Sequence, residues 1–291
     1  MKRIAFLTAP GESANDNRER LPAAFQAAGW RVAVLFHETL GLTADGVAAR
    51  DAGGRAVPLA PFDLVWILGL GARETFLDRM QLLKTLDQAR FVNTADALVY
   101  LHGKFDLAEF GPETHASADV DTLMEIVARG GRWVAKPTAG SFGRDVFLLG
   151  ADDIHCRAVF EHLTGRGAGR YCLLQRYVEQ AEHDEKRVIV AGGQIVGAYA
   201  KTGGNLATGA AARSTELDAT ETALVRKVVA HLHSRGARFA GIDLAAPYVL
   251  EANVANPGGL GTLEQLAGVN PAPAVVEVLV RDSSRLHKPL S

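Results

Sequence analysis

An α/β fold is predicted, opening on a doubly wound parallel sheet and becoming α+β further along, and three observations predict it. Short apolar runs alternate with helix-length segments as far as about residue 97, the rhythm of strand–helix–strand units. After Leu98 the apolar runs follow one another across glycine-containing or acidic turns, as antiparallel hairpins do. Two of the last such runs, residues 241–245 and 248–253, close on Pro247 and carry polar side chains at alternate positions.

Taken in order, residues 4–8 read as a buried strand, followed by a loop containing Gly11 and Asn15 and a helix from about Arg18 to Ala28. Gly29 ends that helix, as a glycine beyond the last turn commonly does. Residues 32–36 and 63–68 are the next strands, and residues 91–93 a fourth after a helix around 76–89. Gly69-Leu70-Gly71 is a poor dinucleotide fingerprint, because it lacks the third glycine and follows the wrong strand. Residues 101–110 suggest a helix carrying Lys104, and 120–129 another, closed by Gly130-Gly131. Strands follow at 132–137, 146–149 and 171–178, then a hairpin of 187–190 and 194–199 turned at Gly192-Gly193. The helix 219–234 lines up Leu224, Val225, Val228, Val229 and Leu232 on one face. Residues 283–291 read as a loose tail. The expected division is 1–97, 98–178 and 179–291.

The 291 residues are 48% hydrophobic and 22% charged, enough for a core in two or three modules. A net charge of −2 with scattered signs argues against nucleic acid or an anionic membrane as a partner recruited by bulk charge. Cys156 and Cys172 lack metal or redox spacing and read as buried free thiols in a reducing compartment. The nine histidines show no zinc spacing and read as surface residues. No run reaches transmembrane length, and residues 4–8 are too short for a signal-peptide core, so a cytoplasmic, soluble protein is expected.

The chemistry concentrates in the final hairpin. A turn near Pro247 sets Asp243 opposite Glu251, and alternation puts Asn253 on that same face. Carboxylates packed so closely repel unless a cation joins them, and oxygen-only donors suit Mg²⁺ or Mn²⁺. The competing reading is a surface hairpin whose polar residues face water. Lys136 ends an apolar strand just before the small-residue turn Gly140-Ser141-Phe142-Gly143. That turn lies between strands rather than before a helix, so it is no Walker-A loop, but its backbone N–H groups can approach phosphate oxygens. Lys136 either reaches such a phosphate or snorkels to solvent. Ser141 has no elbow motif and no evident base.

These pieces fall in an ordered series: Lys104, Lys136-Pro137, the glycine turn, Gln175-Arg176-Tyr177-Val178, Glu185-Lys186-Arg187, Gly204-Asn205-Leu206-Ala207, then Asp243 and Glu251-Ala252-Asn253. The series resembles the ATP-grasp superfamily, and within it the bacterial glutathione synthetases, from about Val92 to Asn253. The resemblance implies an ATP-grasp fold behind a Rossmann-like N-terminal domain. It implies ATP as cofactor, with two Mg²⁺ ions, or Mn²⁺, on Asp243, Glu251 and Asn253. Lys104 and Lys136 would hold phosphates from both sides, with Gly140, Ser141, Phe142 and Gly143 as the lid. Backbone groups of Gln175, Arg176, Tyr177 and Val178 would meet adenine, and Glu185 the ribose, with Glu182 as rival. Arg187 would steady the transferred phosphoryl group, and Lys136, Asn205 and Arg213 complete the catalytic candidates.

The implied reaction is ATP-dependent ligation of a small carboxylate to an amine, both amino acids or short peptides, and the resemblance also implies a homodimer or homotetramer, as its relatives often are. Three departures stand out. Gly203 stands where these synthetases have an arginine, residues 256–261 carry none, and the loop 11–20 does not match. These positions hold the peptide substrate, so an altered acceptor site is expected, with Arg213 or Arg73 in compensation. The alternatives are an authentic glutathione synthetase, an ATP-binding regulatory protein without ligation, and, on Gly69 and Gly71 alone, an NAD-dependent oxidoreductase.

Overall fold

Apolar strand runs build three sheets, and the α/β class expected from the sequence is what the chain adopts. The computed structural model describes residues 1–9, 11, 15–138, 145–166, 169–202 and 211–286. The first sheet runs β4-β3-β2-β1-β5, from β1 (Arg3–Thr8), β2 (Arg31–Thr43), β3 (Gly46–Asp51), β4 (Ala56–Pro58) and β5 (Leu64–Ile67). Only β2, β1 and β5 are parallel; β3 and β4 extend the sheet antiparallel. The expected parallel sheet is thus present as β2-β1-β5, with an antiparallel extension that was not expected. β2 continues past Phe36 into a hairpin whose two-residue loop, Ala44-Asp45, leads into Gly46 at φ +97°, a turn conformation glycine adopts without strain. The expected fourth strand at 91–93 is reduced to single bridges, Val65 to Phe91 and Asn93 to Ala237.

Helices α1 (Asn17–Ala27), α2 (Phe76–Lys84) and α3 (Ala95–Tyr100) complete this part. The helix expected over 101–110 is not formed. Lys104 takes a left-handed φ of +64° directly after Gly103, which breaks the helical path, and only a short 3₁₀ turn at Ala108–Phe110 follows.

A four-stranded sheet comes next, in the order β6-β9-β7-β8, from β6 (Thr114–Ser117), β7 (Arg132–Pro137), β8 (Phe147–Gly150) and β9 (Cys172–Arg176). Helices α4 (Val120–Val127) and α5 (Cys156–Thr164) cover it, enclosing a core of its own around Trp133, Phe160 and Leu174. Both cysteines are free and buried, as expected.

The third sheet, β12-β11-β10-β13-β14, is antiparallel throughout. Its strands are β10 (Glu185–Ala191), β11 (Gln194–Thr202), β12 (Ala211–Ser214), β13 (Phe239–Ala245) and β14 (Tyr248–Asn253). A short α6 (Ala181–Asp184) precedes it, and α7 (Ala219–Ser234), α8 (Leu260–Ala267) and α9 (Ala272–Leu286) pack around it. Of the tail expected over 283–291, the part as far as Leu286 is helical, the end of α9, and the rest lies outside the described residues.

The first and third sheets share their cores rather than burying separate ones. Val65, Leu98, Val188, Val228 and Ile242 belong to one cluster, and Phe6, Trp66, Ile189, Phe239 and Val275 to a second. Asn93, fully buried, pins the seam. Its Oδ1 accepts from the backbone N–H groups of Arg238 (2.8 Å) and Phe239 (2.9 Å), and its Nδ2 donates to Phe239 O (2.7 Å) and Val254 O (2.5 Å). The result is a fixed β13–β14 hairpin beneath the candidate site.

Candidate active site

Strand register builds the site. Across the third sheet one row reads Ser214–Tyr199–Arg187–Asp243–Glu251, each residue directly opposite the next. Opposite Asp243 and Glu251 the register shifts, so Leu250 has no partner on β13. Leu250 is the extra residue of a β-bulge, which keeps Val249, Ala252 and Val254 all in the core. Asp243, Glu251 and Asn253 are thereby left together on the other face, the expected grouping, with the bulge rather than plain alternation bringing Asp243 into line.

Asp243, 5% exposed, is the most enclosed carboxylate of the row. Arg187 grips it two-pronged, Nε to Oδ1 at 2.8 Å and Nη2 to Oδ2 at 2.5 Å, and Lys201 Nζ reaches Oδ1 at 3.0 Å. Lys201 also pairs with Glu185, which stands opposite it on β10. Burial by itself would raise the Asp243 pKa, but the Arg187 and Lys201 charges outweigh it and hold the carboxyl below its ordinary range. Glu185 moves the other way, raised by burial and by Asp243 beside it. Glu251 takes Lys104 Nζ at 3.1 Å, and Asn253 Oδ1 accepts from the Ala255 N–H at 3.2 Å.

The four-stranded sheet brings Lys136 to the same place. Its Nζ donates to Gln175 Oε1 at 3.1 Å, and Gln175 Nε2 in turn donates to Thr114 Oγ1 at 3.2 Å. Burial, then the neighbouring Lys104 charge, lowers the Lys136 pKa to about 8, against the pull of Glu251, Asp243 and Glu185. Lys104, Gln175 and Glu251 line one small cavity between the sheets, with Leu173 and Val249 as its apolar wall.

Other expected residues lie apart from this cluster. The Arg176 side chain bonds Glu113 (2.8 Å) and Gly130 O (2.8 Å) and lies over the Trp133 ring, on the outer side of its sheet. Tyr177 bonds Glu182 and carries Arg132 over its ring. Both side chains are thus engaged by protein partners, and Val178 beside them is buried. Arg213 pairs with Asp184 at 3.1 Å, in the row Leu244–Lys186–Ala200–Arg213 on the opposite face of the sheet from Asp243. Gly140, Ser141, Phe142, Gly143 and Asn205 lie outside the described residues. The expectation of surface histidines fails for His37, fully buried against Arg79 Nη1 at 2.9 Å, and for His231, bonded to Asp106 at 2.5 Å and packed edge-on against Phe110.

Two segments singled out as departures turn out to touch. Asn15 Nδ2 donates to Asn256 O (3.0 Å), and Asn17 Nδ2 to Asn256 Oδ1 (2.9 Å) and Pro257 O (2.8 Å). Gly259, at φ +137°, runs so close over the sheet that a Cβ would sit 2.9 Å from Ile189 and 3.2 Å from Tyr199. Lys201 is the site residue the sequence reasoning missed. Its signal was there, two positions after Tyr199 and so on the Arg187 face.

The donor set fits a hard divalent cation: two carboxylates and an amide oxygen stand on one face. Among the described residues no group of three or more His, Cys, Asp or Glu is arranged to hold a metal unaided. No described helix is long and apolar enough to cross a membrane.

The model of the prokaryotic glutathione synthetase ATP-grasp domain matches residues 102–268. Glutathione synthetase of Gloeobacter violaceus is 31% identical over 58% of this chain and 54% of its own length. That of Ralstonia nicotianae is 28% identical over 81% and 76%. The chain spans about half the length of the first relatives it matches. In fold it is similar to D-cycloserine synthetase DcsG (TM-score 0.74, 18% identity, 98% of this chain and 99% of that one). It is likewise similar to the ATP-grasp ligase PsnB, complexed with a precursor variant, Mg and ADP (TM-score 0.67, 18% identity, 97% and 99%). With more than half of its length matched by that domain, this chain belongs to the prokaryotic glutathione synthetase ATP-grasp family.

Proposed function

We propose that this protein is an ATP-dependent carboxylate–amine ligase of the glutathione-synthetase type, forming an amide through an acyl phosphate, with an acceptor site of its own. The observation that carries the reading is the convergence of Lys104, Lys136, Arg187 and Lys201 on Glu185, Asp243 and Glu251 where two sheets meet. So many buried charges around one cleft suit a polyanionic ligand with its metals.

On this reading residues 98–178 form the lid and 179–291 the nucleotide and metal platform. Lys104 and Lys136 bind ATP phosphates from opposite sides, and Gln175 orients the Lys136 ammonium. Asp243, Glu251 and Asn253 hold Mg²⁺, which when bound neutralises phosphate charge. Arg187, with a planar fork, steadies the transferred group. A substrate carboxylate oxygen attacks the γ-phosphorus, the bond to the bridging oxygen breaks and ADP leaves. An amine then attacks the acyl carbon and expels phosphate. Glu185 faces the ribose only if it yields Lys201, its present partner. The contact of Asn15 and Asn17, in the loop that departs from these synthetases, with Asn256, in the segment that lacks their arginine, supports an acceptor other than the glutathione precursor.

The test is phosphate release from ATP and Mg²⁺ across a panel of amino acids and dipeptides, with product masses. Turnover that requires both a carboxylate and an amine supports the ligase. Turnover confined to γ-glutamylcysteine plus glycine identifies an authentic glutathione synthetase. ATP binding with no ADP from any pair leaves the regulatory reading in its place.

A further inference from the structure

Lys201 has no part in the reaction as drawn, yet it occupies the centre of the site. It is 7% exposed at the end of β11, stands directly opposite Glu185, and reaches past β10 to Asp243 Oδ1 at 3.0 Å. With Arg187 on both oxygens as well, Asp243 carries three cationic donor contacts. A divalent ion, whose ligand distance is only about 2.1 Å, must compete with them for these oxygens.

We propose that Lys201 is a resident counter-cation of the metal carboxylate, neutralising Asp243 and Glu185 before metal and nucleotide arrive and yielding Asp243 to the metal when they do. The inference rests on the assignment of Asp243 as a metal ligand. Two carboxylates buried side by side are costly without a cation, so some positive group must stand there in the empty site. Between the two candidates, lysine suits a removable one. Its charge rides on a flexible four-carbon stem. Arg187 is held by two bonds to Asp243 and a third contact, at 3.4 Å, to Gly258 O. Incoming phosphate oxygens offer the displaced ammonium a new partner. Metal and nucleotide therefore bind with positive coupling, each relieving a cost the other would meet alone.

The experiment is Mn²⁺ binding to the full chain, followed by the electron paramagnetic resonance of free Mn²⁺, with and without a non-hydrolysable ATP analogue. Wild type should bind Mn²⁺ weakly alone and far more tightly with the analogue. Lys201→Met keeps the stem without the charge and should tighten Mn²⁺ binding roughly tenfold in the absence of nucleotide, shrinking the gain from the analogue accordingly. Lys201→Arg, which keeps the charge, should behave as wild type. Lys201→Gln takes the place of the methionine variant if circular dichroism shows that variant unfolded. Unchanged or weaker Mn²⁺ affinity in a folded neutral variant overturns the proposal. Failure of the metal assignment looks different: wild type would bind no Mn²⁺ even with the analogue.

Discussion

Asp243 and Glu251 stand directly opposite each other across β13 and β14, yet each carboxylate is neutralised from a different direction. Asp243 draws on Arg187 and Lys201 within its own sheet, and Glu251 on Lys104 from the turn that follows α3. The two carboxylates thus take their cationic partners from different parts of the chain.

Glu251→Gln should lower turnover roughly a hundredfold or more while the unfolding midpoint stays close to that of wild type, since Glu251 is part-exposed and its loss releases one lysine. Steady-state phosphate release against Mg²⁺ concentration, with a thermal melt alongside, measures both. Wild-type turnover at limiting Mg²⁺ would remove Glu251 from the metal site.

Lys136 supplies a pH signature. Its pKa of about 8 in the folded chain lies below its ordinary 10.5, through burial first and Lys104 second. Phosphate binding favours the charged form, so above pH 8 ATP should bind with proton uptake, and its affinity should fall as pH rises through 8. Calorimetry in buffers of different ionisation enthalpy reads the uptake, which Lys136→Met should abolish along with part of the affinity. For stability the sign is opposite. The folded state holds fewer protons than the unfolded between about pH 8 and 10.5, so the cost of burying this lysine is full below 8 and is relieved as pH rises across that window.

On the other face of the sheet, Lys186 Nζ bonds both Glu221 oxygens, at 2.7 and 2.8 Å, and both side chains are buried. Glu221 also completes the capping box that starts α7, with Asp218. Lys186→Met or Glu221→Leu alone should cost about 3–5 kcal/mol in urea unfolding, because one buried charge loses its nearest partner, Lys186 keeping only Asp184 at 3.8 Å. The double variant Lys186→Met/Glu221→Leu should recover most of that loss apart from about 1 kcal/mol for the cap. Additive losses would show that the pair does not interact.

Asn93→Leu removes the partners of four buried backbone groups at the seam between the first and third sheets. At about 1–3 kcal/mol for each group left unsatisfied, a loss of at least about 3 kcal/mol is expected. Urea unfolding checks it, and a loss below about 1 kcal/mol would mean that water or repacking replaces the amide.

The sequence by itself determined the features that depend on local period. Alternation within β14 put Glu251 and Asn253 on one face, though the bulge at Leu250 was needed to bring Asp243 opposite Glu251; glycines at 192 and 193 marked a hairpin that forms, and the apolar stripe of α7 was readable residue by residue. The Asp45-Gly46 turn of β2–β3 was legible too and went unread, as did the apolar spacing of Cys156, Phe160 and Leu163 in α5. Tertiary structure alone decided which faces meet. Period assigns Lys201 to a face, but its contact with Asp243 exists because β10 lies between β11 and β13 in a particular register. It likewise turned Arg213 away from the site and drew Asn15 and Asn17 onto Asn256, 241 and 239 residues distant. Strand order and register are set by burying the whole chain's apolar surface at once, and no stretch of sequence holds that sum.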